Sequence, residues 1–331
     1  MTSQLARMIP AGEWASERSS KCPSSCAAAW PSRSPNSQEA LLASSPKGHR
    51  LAFSRDLSHT KIQRWGRGGK PSALLASSLR DDSPQFSHDG RRIAFQSLRS
   101  ADERNIWVAN ADGTGWAQIT RGLSSVSSSP RWSPDDRWIA FDAQEKNLRW
   151  DIWVVEASGG PARRLTHGPA DGAVPSWSRD GKWVYFYSNR SGRLEIWRVP
   201  AQGGPAGQVT RRGGYVAFES TDGKTLYYTK SESGAEGLFA MPLAGGEERQ
   251  VFKERVAHRG FAVFSDGIYC ISLEGQNREI RFHEFATGRS RGVADIEGPL
   301  SLGFSVSPDR KTFLFTRQTA AADLMLIENF R

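Results

Sequence analysis

Residues 129–166 read SPRWSPDDRWIAFDAQEKNLRWDIWVVEASGGPARRLT, and this stretch decides the fold. It runs through a turn, an aromatic-rich strand, a loop, a second strand, a glycine hairpin and a short last strand. Residues 83–120 (SPQFSHDGRRIAFQSLRSADERNIWVANADGTGWAQIT) and 174–210 (VPSWSRDGKWVYFYSNRSGRLEIWRVPAQGGPAGQVT) repeat that order. Self-similarity at a fixed period marks an array of one supersecondary unit, each copy burying its faces against the next.

The turn between the first two strands anchors the copies. It falls at Lys47-Gly48, Asp89-Gly90, Asp135-Asp136, Asp180-Gly181, Asp222-Gly223, Asp266-Gly267 and Asp309-Arg310, spaced about 42–46 residues apart. That is the period of a four-stranded propeller blade. The expectation is an all-β fold, a β-propeller of seven four-stranded blades over residues 39–331. The strands after the turns (RIAF, WIAF, WVYF, TLYY, TFLF) are nearly continuous apolar runs, as befits strands covered on both faces. Asp-Gly suits a tight hairpin with both central residues at positive φ, so Asp136 and Arg310 are expected to cost strain or mark another turn type. The seventh repeat stops after its third strand; residues 3–9 or 27–31 are the candidates for its fourth, and if neither docks the seam is open and that blade the least stable. Residues 1–38, rich in Ser, Pro and Ala, read as an irregular lead.

Charge and composition narrow the function. The net charge is +9 with both signs interspersed, which describes a solvated surface rather than a polybasic nucleic-acid tail. Cys22 and Cys26 lack a second Cys/His pair to complete a zinc set, and Cys270 reads as a buried free thiol. The N-terminus shows no secretory apolar region, and no run reaches the roughly 20 apolar residues of a membrane span. A cytoplasmic location is expected. The six histidines (His49, His59, His88, His167, His258, His283) are scattered, with no metal-ligand spacing. There is no P-loop or dinucleotide fingerprint, so neither cofactor nor metal is expected. Gly288-Arg289-Ser290-Arg291-Gly292 fits the G-x-S-x-G pattern. It stands where other repeats have their glycine hairpin, and no His follows it. Ser290 is therefore expected not to be a nucleophile. The recurrent Trp and Phe are expected to pack between blades, and the recurrent turn Asp to be structural.

The pattern P-x-[WF]-S-x-D-G-[RK]-x-[IL]-[AY]-F…[DEN]-I-W…A-x-G-G…[RQ]-[ILV]-T resembles the WD40-like propeller repeat of the TolB family. Trp132, Trp177, Ile152-Trp153 and Ile196-Trp197 carry the likeness, while Val263 and Val306 depart from it at the aromatic position. The tail SVSPDRKTFLFTRQTAAADLMLIENFR resembles the C-terminal end of acidobacterial-type regulators that place a winged-helix domain before the propeller. That resemblance implies the sensory or interaction part of a bacterial signalling or transcriptional-regulator system. No helix-turn-helix pattern precedes the repeats here, so direct DNA binding is not expected. The TolB resemblance keeps the periplasm open as an alternative location. Similar propellers precede the catalytic domain of prolyl-oligopeptidase-type peptidases, but a hydrolase domain is not expected here.

The expected function is a non-catalytic scaffold that binds a protein or a small acidic ligand. The alternative is the propeller portion of a hydrolase, or an enzyme acting in the channel. Binding residues usually lie on loops held by a rigid scaffold. The loops between second and third strands, with the entry loop THGPADGA, offer Arg99, Arg104, Arg149, Arg190, Arg193 and His167.

Overall fold

A computed structural model describes residues 39–45, 50–56, 59–75, 80–100, 103–123, 126–144, 149–275, 278–319 and 322–328. They fall into two compact units, residues 60–318 and a second that joins the chain up to residue 59 with residues 319–331. The second unit holds a three-stranded antiparallel sheet of Glu39–Ser45, Arg50–Asp56 and Ala322–Glu328, with Arg50–Asp56 in the middle. Cys22, Cys26 and the two candidate closing strands lie outside the described residues.

Residues 60–318 build the propeller. Blade I contains Asp81–Phe86, Arg92–Ser100, Glu103–Asn110 and Ala117–Gln118. Blade II contains Val126–Trp132, Trp138–Gln144, Trp150–Glu156 and Arg163–Arg164. Blade III contains Gly172–Trp177, Trp183–Ser188, Glu195–Pro200 and Gly207–Gln208. Blade IV contains Ala217–Glu219, Thr225–Tyr228, Leu238–Pro242 and Arg249–Phe252. Blade V contains Val256–Val263, Gly267–Ser272, Arg278–Glu284 and Ser290–Ile296. Blade VI takes Leu300–Val306 and Thr312–Thr319 from the last repeat, then His59–Gly66 and Ser72–Ala73 from the first. Blades III to VI are four separate four-stranded sheets. Blades I and II are joined into one eight-stranded sheet by a single parallel bridge, Arg104 to Val126.

The seven-bladed expectation is therefore wrong. Seven turns occur in the sequence, but the first and last repeats share one blade. The last repeat supplies its two inner strands and the first its two outer ones, so the ring closes by sheet pairing between distant parts of the chain. Among the described residues the last repeat does not form a blade of its own: its third strand, Ala322–Glu328, pairs with Arg50–Asp56 in the separate three-stranded sheet. Arg67 N–H donates to Lys311 O at 3.2 Å, and the rings of Trp65 and Phe313 lie 5.2 Å apart across the seam. The inner strands touch in cyclic order, with that of blade VI against that of blade I. There a Cβ on Gly303 (φ +103°) would stand 2.5 Å from Ser83 Cα, so only glycine fits.

The repeat signature is a set of hydrogen bonds. In blades I to III the Thr after the outer strand accepts from the Ile N–H of I-W, at 2.8–2.9 Å (Ile106–Thr120, Ile152–Thr166, Ile196–Thr210). Its hydroxyl donates to the residue before that Ile, namely Asn105, Asp151 or Glu195. The polar residue of [DEN]-I-W is thus buried because Thr satisfies it. In the turns, Ser87, Ser133, Ser178, Ser220 and Ser307 each donate to the Asp two residues on, at 2.5–2.7 Å. Those Asp side chains also accept from backbone N–H groups of the turn, and the bonds hold their pKa values below the usual carboxylate range. In these five turns the loop has four residues and only its third takes positive φ, unlike the two-residue hairpin expected, whereas at Asp266-Gly267 a two-residue loop is closed by Phe264 N–H donating to Gly267 O at 2.8 Å. Asp136 (φ 56°) and Arg310 (φ 59°) adopt the same turn as the glycines. Each side chain reaches back to the preceding blade's turn: Asp136 accepts from His88 N–H and Asp89 N–H, and Arg310 donates to Asp266 at 2.7 Å.

The aromatics pack between blades. Trp132 is 1% exposed, and its indole donates to Gln85 O of blade I, while that of Trp177 donates to Arg131 O of blade II. Cys270 is buried, which pushes its thiol pKa up to about 12.

Candidate functional site at the channel mouth

The inner strands run from the loop end of the ring to the turn end. Near the loop end they bulge. Ser83, Ser129 and Val174 take positive φ, each before a proline. A β-branched residue at positive φ is strained, and Val174 is held there by its N–H donating to Asp142 at 2.7 Å. Gln96 likewise accepts from Ser129 N–H at 3.0 Å. Across the axis, Arg259 of blade V donates to Ser129 of blade II, the blade opposite, so the channel is bridged partway along.

Towards the turn end the inner strands of all six blades wall a cavity of about 280 Å³. Its lining includes Gln85, Arg131, Ser176 and Ser305, which share one position, the residue before the aromatic (Val306 in blade VI). Three of them join neighbouring blades. Gln85 accepts from Trp132 N–H at 2.7 Å, Ser305 from Phe86 N–H at 3.0 Å, and Ser176 donates to Ala217 O at 2.6 Å. Arg131 does not. It is 4% exposed and, among the described residues, makes one long bond, 3.5 Å, to Pro130 O. Its Nε is buried without a partner. Its guanidinium lies over the Phe218 ring at 5.2 Å. Burial, reinforced by repulsion from Arg259 and opposed by Asp142, pushes its pKa down to about 10.

The cavity's other charges are balanced. Glu219 accepts from the Tyr185 hydroxyl at 2.6 Å and from Arg179 N–H at 2.7 Å. The Arg179 guanidinium, lowered in pKa by burial and held up by Glu219, donates to Ser220 O at 3.3 Å. At the opposite end, Asp82 is buried among Gln96, Thr60 and the field of Arg104, Arg80 and Arg259. Burial outweighs those partners and raises its pKa.

The loop arginines picked from sequence are mostly engaged. Arg99 pairs with Asp81 at 2.9 Å and lies between the Phe95 and Trp116 rings. Arg190 covers Trp197 at 4.9 Å, and Arg193 pairs with Glu195 at 2.6 Å. Arg104 forms the bridge to blade II and adds to the field at Asp82. Arg149 reaches Gly168 O at 3.5 Å, next to the exposed His167, so these two loops are brought together. Sequence reading passed over Arg131, Arg259 and Glu219. The available signal was the polar residue beside the repeat aromatic, in strands otherwise apolar.

Ser290 opens the outer strand of blade V, not a strand-to-helix elbow. The antiparallel register sets His283 directly opposite, with Nδ1 3.1 Å from the Ser290 hydroxyl. That hydroxyl also donates to Glu254 at 3.2 Å. The His precedes the Ser, so chain order alone hides the pair. Among the described residues, no group of three or more His, Cys, Asp or Glu is placed to hold a metal ion. No helix among them is long and apolar enough to cross a membrane.

The TolB beta propeller domain matches residues 66–259, more than half of the chain. The chain belongs to the TolB β-propeller family. This propeller resembles TolB from Acinetobacter baumannii at 19% identity and TM-score 0.53, covering 79% of this chain and 66% of that one. It also resembles a puromycin-hydrolyzing peptidase of Mycobacterium tuberculosis at 16% identity and TM-score 0.55, over 80% of this chain and 45% of that one. Hydrazine synthase of Kuenenia stuttgartiensis aligns at 13% identity and TM-score 0.58, over 79% of this chain and 46% of that one. The TolB-type propeller thus spans less than half the length of the last two. No curated protein sequence matches it significantly.

Proposed function

We propose that this TolB-type propeller is a non-catalytic scaffold that binds a protein or a small acidic ligand at the turn end of its channel. The observation that carries the reading is the cavity walled by all six inner strands, with a buried guanidinium whose Nε finds no hydrogen-bond partner among the described residues. A concave site with a few placed polar groups is the common form of a ligand pocket. In a signalling protein such a cavity would be the sensing element. The test is pull-down of an identified partner with two double variants of the tagged chain. Loss of binding in Arg131→Met/Arg179→Ala with retention in Arg149→Ala/Arg193→Ala supports the channel mouth. The reverse pattern assigns binding to the loop end.

One observation favours a second reading, a hydrolytic site. It is the contact of Ser290 with His283 and Glu254. The reading is weaker because the Ser hydroxyl donates to Glu254 rather than to His283, and its strand is the outer one of blade V, outside the cavity lining. Covalent labelling of Ser290 by a fluorophosphonate would establish it.

A further inference from the structure

We propose that the channel cavity takes a carboxylate group carried on a single apolar ring or branched chain, with Arg131 as its ion-pair partner. The inference rests on the reading of the cavity as a binding site and names what enters it.

The first ground is the contrast among equivalent side chains. Gln85, Ser176 and Ser305 each bond to a neighbouring blade, whereas Arg131, in the same position, leaves Nε without a partner. A buried cation without a paired anion is costly, so a counter-charge arriving from outside is stabilised there. The planar guanidinium fork matches a carboxylate with two parallel bonds.

The second ground is the company Arg131 keeps. Asp142 faces it from blade II, but its oxygens are taken by Ser128 and Val174 N–H. Glu219 also lines the cavity and would repel an anion, yet both its oxygens accept bonds and Arg179 lies beside it. Arg259 adds a second positive charge on the axis. The local sum favours one added negative charge.

The third ground is shape. One side of the wall is aromatic. Phe218 and Phe261 meet edge to face at 4.8 Å, and Trp177, Phe264 and Phe304 also line it, beside the aliphatic Val263, Val306, Pro134 and Pro308 and the polar His88 and Thr221. A volume of about 280 Å³ holds one ring and its carboxylate, not a polymer segment. Such a group has two sources, a free small acid or the C-terminal carboxylate of a peptide ending in an apolar residue.

The experiment is isothermal titration of the full chain with phenylacetate, phenylacetamide, and the tetrapeptide Gly-Gly-Ala-Phe as free acid and as C-terminal amide. Saturable binding of phenylacetate and none of phenylacetamide is expected. Arg131→Met should weaken it about tenfold or more, since a charge-assisted bond is lost. Trp116→Ala, on an exposed residue outside the cavity, should leave it unchanged. If Arg131→Met does not fold, Arg131→Lys should still weaken binding several-fold by losing the fork. Tetrapeptide acid binding more tightly than phenylacetate would identify a chain terminus as the source, and the reverse a free acid. Failure of both acids to bind, equal binding of acid and amide, or unchanged affinity in both Arg131 variants would overturn the proposal. If the acids fail while a partner is still lost from Arg131→Met/Arg179→Ala, the carboxylate falls and the scaffold reading stands. If that partner is also retained, both fall.

Discussion

Closure of the ring by the first repeat makes a specific demand on Ile62. This side chain is 1% exposed in the third strand of blade VI and packs with Leu74, Leu75, Phe86 and Leu314. Ile62→Ala removes buried methyl and methylene groups and leaves a cavity, costing about 2–5 kcal/mol. For a domain of this size the melting temperature should fall by roughly 2–4 °C per kcal/mol. Ile152→Ala in blade II, at an equally buried site, should cost about the same, so the melting temperature alone does not test the topology. Hydrogen exchange does. Residues 312–317 lie between the inner strand of blade VI and the strand that contains Ile62. If that strand protects them, Ile62→Ala should speed their exchange by local opening, while Ile152→Ala should speed exchange in blade II instead. Unchanged protection of residues 312–317 in Ile62→Ala, with the variant measurably destabilised, would show that the first repeat does not close blade VI.

Four further outcomes are expected. Thr166→Val should destabilise the fold by about 1–3 kcal/mol, because Asp151 and Ile152 N–H both lose a buried partner, and chemical denaturation measures this. The turn carboxylates, with folded pKa values below their unfolded ones, stabilise the fold above about pH 3.9 and lose that contribution as pH falls through the folded values; Asp180→Asn should therefore flatten the acid limb of a melting-temperature profile. Arg131→Met should leave the melting temperature unchanged or higher, since it removes a buried unpaired charge, and a drop of several degrees would mean that the charge is structural after all. Ser290 should resist a fluorophosphonate probe, as read by intact-mass spectrometry; stoichiometric labelling lost in Ser290→Ala would instead support the hydrolytic reading.

The blade was legible in the sequence because its signature is local. The Thr that ends SPRW…RLT, the Asp before Ile152 and the Ser-x-Asp turns satisfy one another within a single repeat, so the bonds that make a blade also make the repeat visible. The blade count was not legible, because closure is non-local. RLAF and KIQRW look like successive strands of one blade, yet the first joins Ala322–Glu328 and the second joins Thr312–Thr319. Nothing within the local pattern separates them. The loop arginines were chosen for charge and exposure, but Arg99 and Arg193 already have carboxylate partners. Those partners, Asp81 and Glu195, lie on strands that the local pattern does not mark as facing these loops.

The same logic locates where this propeller departs from its own rule. A repeat that satisfies each polar group internally has nothing left to offer a ligand, so recognition must occur where the internal pairing lapses. Along the channel, Gln85, Ser176 and Ser305 obey the rule by joining blade to blade. Arg131 breaks it, and does so at a position where the inner strands of all six blades line one cavity. Sixfold convergence there concentrates the effect of a single substitution, because any group admitted to the cavity meets walls from every blade at once. A propeller built on near-identical blades can therefore acquire a binding site by changing one residue of the inner strand, without cost to the turns or to the Thr-centred bonds that hold each blade.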